Sequence, residues 1–213
     1  MLDGCVARRI RIRHHVNPLR SAWGRDAAPT LTLPPGDVEA ELGCADARFL
    51  FERAPHHPDT YFLGLEIREP LVGEVNRQAA EAGLSNLRAV FCNINVDLAS
   101  LVPDAALARV FINFPDPWFK RRHQKRRLVN DELVDVLHSK LRPGGELFFQ
   151  SDVFDLALDA LAVLESTPQL FANTRGPWSF TPDNPYGAKS LREVRCEERG
   201  MRIWRMCYRR LGA

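Results

Sequence analysis

The chain of 213 residues has no long apolar segment and no regular spacing of metal-binding side chains. No run reaches the roughly eighteen apolar residues of a membrane-spanning helix, and the Arg-rich beginning lacks the apolar stretch of a secretory signal. The five cysteines are odd in number, widely separated and without a Cys-x-x-Cys pair, which argues against a disulfide framework or a zinc site. We therefore expect a cytoplasmic protein with reduced thiols, no metal and no membrane contact.

Composition favours one globular domain, since 45% of the residues are hydrophobic and 26% are charged, and no internal repeat interrupts the chain. We expect a basic N-terminal arm over residues 1–30, followed by a single domain over residues 31–213. Whether that domain is a monomer or a homodimer stays open.

The net charge of +2 hides an uneven distribution. Residues 1–25, 120–127 and 189–210 hold 20 of the 29 Lys and Arg residues but only four acids, which gives these segments +16 and the remainder −14. Such asymmetry is typical of a protein that binds a polyanion, because cations that neutralise phosphates release condensed counterions. A solvated basic helix face is the alternative explanation for the cluster at 120–127.

Short apolar runs alternate with helical patterns, which predicts βαβ units and a parallel sheet. We predict strands at 38–42, 61–67, 87–92, 108–114 and 146–151, and a last strand near 203–208 at the sheet edge. We predict helices after the turn at 43–46 and at 69–82, 131–141 and 155–164. The prolines between 168 and 185 indicate a loop-rich stretch.

Polar residues or a glycine follow the successive strands of this predicted sheet. They are Glu41, Gly43, Glu66, Asn93, Asp116 and Asp152. In an open α/β sheet, ligands bind beyond the carboxyl ends of the strands, so we expect these residues to surround one site. An acid at the end of the second strand suits the hydroxyls of a nucleoside ribose. Taken singly, each residue has a structural explanation as a turn or cap.

The segment Asn-Phe-Pro-Asp-Pro-Trp at 113–118 leads into a run with six basic residues out of eight. Each proline fixes its own φ and favours extended backbone before it, so Asp116 lies on stiff backbone beside a basic surface. This arrangement favours chemistry on a nucleic acid. We expect Trp118 to pack in the core, with stacking on a base as the alternative.

The chain resembles bacterial tRNA (guanine-N7-)-methyltransferases of the TrmB type, and the segment at 113–118 is the most distinctive match. The supporting matches cover nearly the whole chain. They are Arg-Ile-Arg-His-His-Val-Asn-Pro-Leu at 11–19, Glu-Leu-Gly-Cys-Ala at 41–45, Gly-Leu-Glu-Ile at 64–67, Phe-Cys-Asn-Ile-Asn at 91–95, Ser-Asp at 151–152 and Glu-Glu-Arg-Gly at 197–200.

This resemblance implies a Rossmann-like class I fold, with a seven-stranded, mostly parallel sheet and helices on both faces. It implies methyl transfer from S-adenosylmethionine to N7 of the variable-loop guanine of tRNA. The implied cofactor-binding residues are Glu41, Gly43, Glu66, Asn93 and Asp116, with Asp116 also catalytic. The implied guanosine contacts are Lys120, Asp152, Arg195 and Glu197. The implied RNA-binding residues are Arg121, Arg122, Lys125, Arg126 and Arg127.

The chain departs from the family pattern at two places. Ala47 stands where the family has a further glycine, next to Asp46 instead of a basic or small residue, and a positive φ at Ala47 would strain the turn. The family segment Thr-Lys-Phe-Glu is interpreted as residues 194–197, with Val194 in place of the threonine. Two alternatives therefore stay open, a catalytically weak RNA-binding relative and a methyltransferase for a small molecule. A dinucleotide oxidoreductase is disfavoured, because Gly-x-Gly-x-x-Gly is absent.

Overall fold

The computed structural model describes residues 16–18 and 29–212. Most of the predicted N-terminal arm, the histidine pair at 14–15 and Cys5 lie outside the described residues. Within the described ranges, none of the helices is long and apolar enough to cross a lipid bilayer.

In the part of the chain that the structure describes, seven strands form one sheet and six α-helices connect them. The strands are β1 (Asp37–Leu42), β2 (Thr60–Glu66), β3 (Leu87–Phe91), β4 (Leu107–Asn113), β5 (Leu141–Ser151), β6 (Phe171–Asn173) and β7 (Trp204–Arg210). The helices are α1 (Arg48–Arg53), α2 (Glu69–Glu81), α3 (Ile94–Leu101), α4 (Asp131–Lys140), α5 (Phe154–Glu165) and α6 (Leu191–Glu198).

The strand order is β3-β2-β1-β4-β5-β7-β6, with β1 to β5 parallel and β7 antiparallel to both of its neighbours. The predicted seven-stranded, mostly parallel sheet is confirmed. Strand order reverses between β1 and β4, so the carboxyl ends of these two strands open a crevice.

Helices cover both faces of the sheet, as predicted. Side chains alternate along each strand, so Val110 and Ile112 of β4 belong to the core under α3, α4 and α5, whereas Phe111 belongs to the core under α1 and α2. Both cores are fully buried around β4. Because β4 is fixed on both faces, its carboxyl end is a rigid base for the loop that follows it.

Three elements were not predicted, namely α3, β6 and α6. In addition, β5 begins at Leu141, immediately after α4, and passes through Pro143 and two glycines before the predicted start. A Cβ at Gly145 would lie 2.9 Å from the Arg142 carbonyl oxygen, which explains glycine at this position. The register with β4 shifts over this stretch, between Leu107 and Arg109.

Candidate active site

A cavity of about 650 Å³ lies at the carboxyl ends of the parallel strands. Segments after β1, β2, β3, β4 and β5 line it, together with the beginning of α6 and residues 16 and 18. The cavity brings together most of the residues predicted for the site. They are Glu41, Gly43, Glu66, Asn93, Asp116, Arg126, Asp152 and Arg195. Lys120 and Glu197 do not line it.

Glu41 is a buried carboxyl group with one unpaired oxygen. Asn113 Nδ2 donates to its Oε1 at 2.8 Å, while Oε2 has no hydrogen-bond partner within the described part of the chain. Burial, opposed by the hydrogen bond from Asn113 and supported by the nearby carboxylates of Asp46 and Glu66, raises the pKa of Glu41 to about 8. Within the described residues, Oε2 of Glu41 is therefore an unused acceptor for a cation that enters the cavity.

The turn after β1 exposes its backbone to the cavity. Gly43 has φ +78°, and no atom lies within 4 Å of the position a Cβ would take there. Ala45 and Ala47 both have φ +52°, so the expected positive φ at Ala47 is confirmed, and each such residue costs roughly 1–2 kcal/mol. The Asp46 side chain is exposed and accepts from the backbone N–H of Arg48 at 3.3 Å.

Glu66, at the end of β2, is buried and forms an ion pair with Arg68, which was not predicted as a site residue. Arg68 donates to it from Nε at 2.8 Å, from Nη2 at 2.9 Å and from its backbone N–H at 3.0 Å, while the Ala45 N–H donates at 2.9 Å. These bonds raise the pKa of the Arg68 guanidinium, and the charge of Asp116 adds to the effect. Arg68 therefore holds Glu66 and lies near enough to Asp116 for the charge of that carboxylate to act on it.

Asn93 caps α3 and holds residues 16–18 at the cavity. Its Oδ1 accepts from the Asn95 N–H at 3.2 Å, and its Nδ2 donates to the Pro18 carbonyl oxygen at 2.7 Å. Its own N–H donates to Asp97 Oδ2 at 2.6 Å. Because Val16 and Pro18 also line the cavity, the segment before β1 forms part of its wall.

Asp116 lies in a strained loop after β4. Phe114 has φ +51° and Trp118 has φ +44°, both unusual for aromatic residues, and the two prolines lie between them. Non-glycine residues in this region cost of order 1–3 kcal/mol each and cluster at functional sites. The loop holds Asp116, half-buried, against the cavity. The expectation of a rigid backbone around Asp116 agrees with this geometry.

Trp118 does not pack in the core, so that prediction is wrong. Its half-buried ring lines the cavity, with the Arg126 guanidinium carbon 4.9 Å from the ring centroid and the His123 ring at 5.9 Å. The next residue, Phe119, is 72% exposed. The aromatic residues of this loop therefore join the cavity to the basic segment instead of filling the interior.

The basic segment forms a short 3-10 helix over Arg121–Arg126. Lys120, Arg122 and Lys125 are exposed to solvent, and the side chain of Arg121 lies outside the described part. Arg126 is half-buried beside Trp118. The exposed cations next to the cavity form a surface suited to phosphates.

Arg127 requires a correction, since it does not belong to this exposed surface. Its side chain is buried, its Nε donates to the Pro117 carbonyl oxygen at 3.1 Å, and its guanidinium forms an ion pair with Asp159 of α5. Arg127 therefore fixes the Pro-Asp-Pro loop to α5, and we no longer place it among the RNA contacts.

The sequence of this chain is similar to those of known methyltransferases. A family described as "Putative methyltransferase" matches residues 36–206. A tRNA (guanine-N(7)-)-methyltransferase of Synechococcus sp. (strain JA-3-3Ab) is 40% identical over 203 residues, which cover 92% of this chain and 84% of the relative. The enzyme of the same name from Synechocystis sp. (strain ATCC 27184 / PCC 6803 / Kazusa) is 42% identical, with 88% and 92% covered. The chain belongs to this methyltransferase family.

Solved structures show the same fold at low sequence identity. The 16S rRNA methyltransferase KamB superposes with a TM-score of 0.59 and 13% identity, covering 83% of this chain and 88% of that chain. The [4+2]-cyclase SpnF gives 0.57 and 16%, covering 84% and 76%. Since these two proteins are named for different reactions, the fold alone does not define the chemistry.

Ser190 and Glu193, four residues before the segment at 194–197, also have a hydroxyl followed three residues later by an acid. Ser190 caps α6, accepting from the Glu193 N–H at 3.2 Å, and lines the cavity together with Arg192. Arg192 forms an ion pair with Asp152. Ser190 therefore brings to the cavity a hydroxyl of the kind that Val194 lacks.

Glu197, the acid of the segment at 194–197, lies outside the cavity on the exposed side of α6. It pairs with Lys189 at 2.6 Å. Arg195 does line the cavity, and its role as a substrate contact stays a prediction.

Glu193 is fully buried at the centre of a polar network. Arg205 Nη2 donates to its Oε1 at 2.9 Å, Gln150 Nε2 donates to its Oε2 at 2.9 Å, and Asn184 Nδ2 donates at 3.0 and 3.1 Å. Arg205 Nε also donates to Gln150 Oε1 at 3.1 Å. These bonds anchor α6 to β5 and β7.

The network continues to the far side of the cavity. Gln150 Nε2 also donates to Asn113 Oδ1 at 2.9 Å, and Asn113 in turn donates to Glu41. A single chain of hydrogen-bonded side chains, with half-buried Asn113 in the middle, therefore links Glu41 to Glu193. The described residues contain no cluster of three or more His, Cys, Asp or Glu side chains able to hold a metal ion.

Proposed function

We propose that this protein transfers a methyl group from S-adenosylmethionine to N7 of a guanine in tRNA. One observation carries the proposal: a single cavity holds both the unpaired carboxyl oxygen of Glu41 and Asp116 on its strained loop, with exposed cations at its edge. The cyanobacterial relatives bear the name of this activity. From the sequence, we also propose that the protein is cytoplasmic and that it is a monomer or a homodimer. The guanine that it modifies is the one in the variable loop.

The residues around the cavity fit this cofactor. The unpaired Glu41 oxygen suits a cationic ammonium or sulfonium group, and the open backbone at Gly43 allows close approach. Glu66 can accept ribose hydroxyls when Arg68 yields its two side-chain bonds, and Asn93 lies on the same wall. S-adenosylmethionine supplies a methyl group on a positively charged sulfur, open to attack by a lone pair.

Guanine N7 carries an in-plane lone pair, so the chain needs no strong general base. Its task is to align N7 with the methyl group and to stabilise the positive charge that develops on the purine. Asp116 is positioned to accept from the donor edge of the base and to provide that negative charge. Asp152, held by Arg192, also lines the cavity and is the other carboxylate that we expect to contact the base.

The target guanine must leave its stack before N7 reaches the cavity, which typically costs a few kcal/mol. Contacts with the RNA backbone can offset that cost. We assign them to the cations that border the cavity. They are Lys120, Arg122, Lys125, Arg126 and Arg195, with Arg121 kept as a sequence-based assignment.

A direct test incubates the purified protein with methyl-labelled S-adenosylmethionine and unmodified tRNA, then maps N7-methylguanine by borohydride and aniline cleavage. Cleavage at one variable-loop guanine supports the proposal. Label on another atom or another base contradicts it.

A catalytically weak RNA-binding relative is the second candidate, favoured by the two alanines with positive φ in the cofactor turn. In that case tRNA binding is salt-sensitive but no label is transferred, and S-adenosylmethionine binds poorly. A small-molecule methyltransferase is disfavoured by the exposed cations at the edge of the cavity, and it predicts no tRNA binding.

We expect cofactor binding to release a proton from Glu41 below pH 8. In the empty site this carboxyl has a pKa of about 8, so it is mostly protonated at pH 7, whereas a bound cation favours the carboxylate. Affinity for S-adenosylmethionine should therefore rise with pH and level off above about 8. Calorimetry in buffers of different ionisation enthalpy counts the released proton.

Glu41→Gln is the control for this experiment, because an amide has no proton to release. The variant should bind S-adenosylmethionine more weakly, with a lower proton release at pH 7. Equal proton release from the variant and the wild type would remove Glu41 from the cofactor site.

Replacing Lys120, Arg122 and Lys125 together by glutamine is expected to weaken tRNA binding and flatten its dependence on salt. Each lost phosphate contact should reduce the slope of log K against log salt by about 0.7 to 0.9. Filter binding between low and high salt measures this slope. Neutralising Arg88, an exposed arginine of the edge strand β3, is the control, and an equal slope in both variants contradicts the assignment.

A further inference from the structure

Three aromatic side chains form a cluster beyond the cavity, next to β5 and β7. The ring of Phe154, the first residue of α5, lies 4.5 Å from that of Trp204, the first residue of β7. Phe180, from the loop before α6, lies 5.0 Å from Trp204. The cluster joins three separate segments at one point on the surface.

The cluster is only partly buried, and it carries an arginine. Phe154 is 44% exposed. The guanidinium carbon of Arg202 lies 3.9 Å from the centroid of Trp204, which places it directly over the ring. Arg202 is itself exposed, and within residues 16–18 and 29–212 no carboxylate lies within ion-pair distance of it.

A second arginine surrounded by rings shows what a purely structural arrangement looks like here. Arg53 lies 5.4 to 5.9 Å from four ring centroids, but it is buried and makes a bidentate ion pair with Glu39. Arg202 has the ring contact without the counterion and without the burial. Its outer face is therefore open to a planar or anionic group.

The position of the cluster connects it to the cavity. Asp152 and Val153 line the cavity, and Phe154 follows them directly in the chain. Trp204 is paired with Ser151 in the register of β5 and β7, so it lies at the same end of the sheet. A nucleotide next to a base held in the cavity could reach the cluster.

We propose that Phe154, Trp204 and Arg202 form a stacking surface for an unpaired base of the RNA, adjacent in sequence to the target guanine. This inference rests on the proposed function. Moving a guanine out of its stack deprives its neighbour of a stacking partner, and an aromatic or guanidinium plane beside the cavity replaces that partner. Three rings are too small an area for a stable protein partner, which needs about 1,000 Å² or more of buried surface.

The test compares Phe154→Ala and Arg202→Lys with Leu158→Ala, a control one helical turn further along α5 at 42% exposure. Arg202→Lys keeps the charge but removes the planar group. We expect the KM for tRNA to rise about 5- to 10-fold in both test variants, while kcat stays within about twofold and the control matches wild type. In a tRNA with 2-aminopurine beside the target guanine, binding to the wild type should quench the fluorescence. Binding to either test variant should not.

A normal KM for Phe154→Ala overturns the proposal. So does a normal KM for Arg202→Lys combined with a raised KM for Arg202→Gln, because that pattern indicates a phosphate contact instead of stacking. If wild type methylates N7 and the variants behave like Leu158→Ala, only the stacking surface is wrong. If wild type transfers no methyl group to tRNA, the proposed function fails and this inference fails with it.

Discussion

Replacing Asp116 by alanine is expected to lower kcat by at least about 100-fold, while the affinity for tRNA stays within a few fold. Removing one preorganised group that stabilises charge in a transition state typically costs this much. Asp116 is the carboxylate that the strained loop after β4 holds at the cavity, whereas Lys120, Arg122 and Lys125, which we expect to attract RNA, do not line it. Single-turnover methylation and filter binding measure the two effects separately.

Asp116→Asn sharpens this test, because it keeps the shape of the side chain and removes its charge. If the charge is what matters, the asparagine variant should be nearly as slow as the alanine variant. Asp37→Asn is the matched control, since Asp37 forms an exposed ion pair with Arg142 at the opposite end of the sheet. Normal turnover by Asp116→Asn would leave Asp116 a hydrogen-bonding role only, and normal turnover by Asp116→Ala would remove it from the reaction.

The sequence predicted β1 to β4 to within one residue at each end, and β5 without its first five residues, because the sheet is covered on both faces. Strands buried on both faces are rich in apolar residues, and such runs are visible without any tertiary information. Elements that lack this signal were missed. β6 has only three residues, and α6 buries only Glu193 and Cys196. Its buried acid faces a buried arginine, which hydrophobic periodicity cannot detect.

The site was predictable for those residues whose location in the fold follows from their position along a strand. Residues that follow parallel strands must meet at one edge, and Glu41, Glu66, Asn93 and Asp116 do so. Residues whose role depends on a partner far away in the chain were not predictable. Within the basic run, identical charges conceal that Arg127 points inward towards Asp159.

Arg68 illustrates the same limit. Nothing in the sequence near residue 68 indicates that the charge of Asp116, 48 positions away, helps to raise the pKa of this side chain. The identity of a polar pair becomes visible only when the fold has brought its members together. Local patterns therefore predicted where ligands bind, but not which side chains are already paired there.

Replacing Glu193 by alanine is expected to destabilise the protein by about 3–5 kcal/mol and to abolish activity. Removing one member of a buried ion pair leaves the other charge buried without compensation. Glu193 is fully buried, and its loss would leave the buried guanidinium of Arg205 without its closest carboxylate. Chemical denaturation measures the free energy of unfolding.

Glu197→Ala is the matched control four residues further along α6. Glu197 is exposed, pairs with Lys189 at 2.6 Å and lies 3.7 Å from Arg205, so its removal should cost less than about 1 kcal/mol. An equal effect of the two substitutions would show that the buried network adds nothing. A large effect at Glu197 on turnover would instead restore it to the site.

Glu193→Gln separates stability from positioning, because glutamine keeps the shape but weakens the pairing with Arg205. Glu193 holds the helix that presents Ser190 and Arg192 to the cavity, and Gln150 and Asn113 join it to Glu41. If the network positions both halves of the site, the folded glutamine variant should lose affinity for S-adenosylmethionine as well as for tRNA. If its only role is to fix α6, tRNA affinity alone should fall. Because Glu41 lies on the opposite side of the cavity from α6, a change in cofactor binding requires that the chain of hydrogen bonds transmits the substitution.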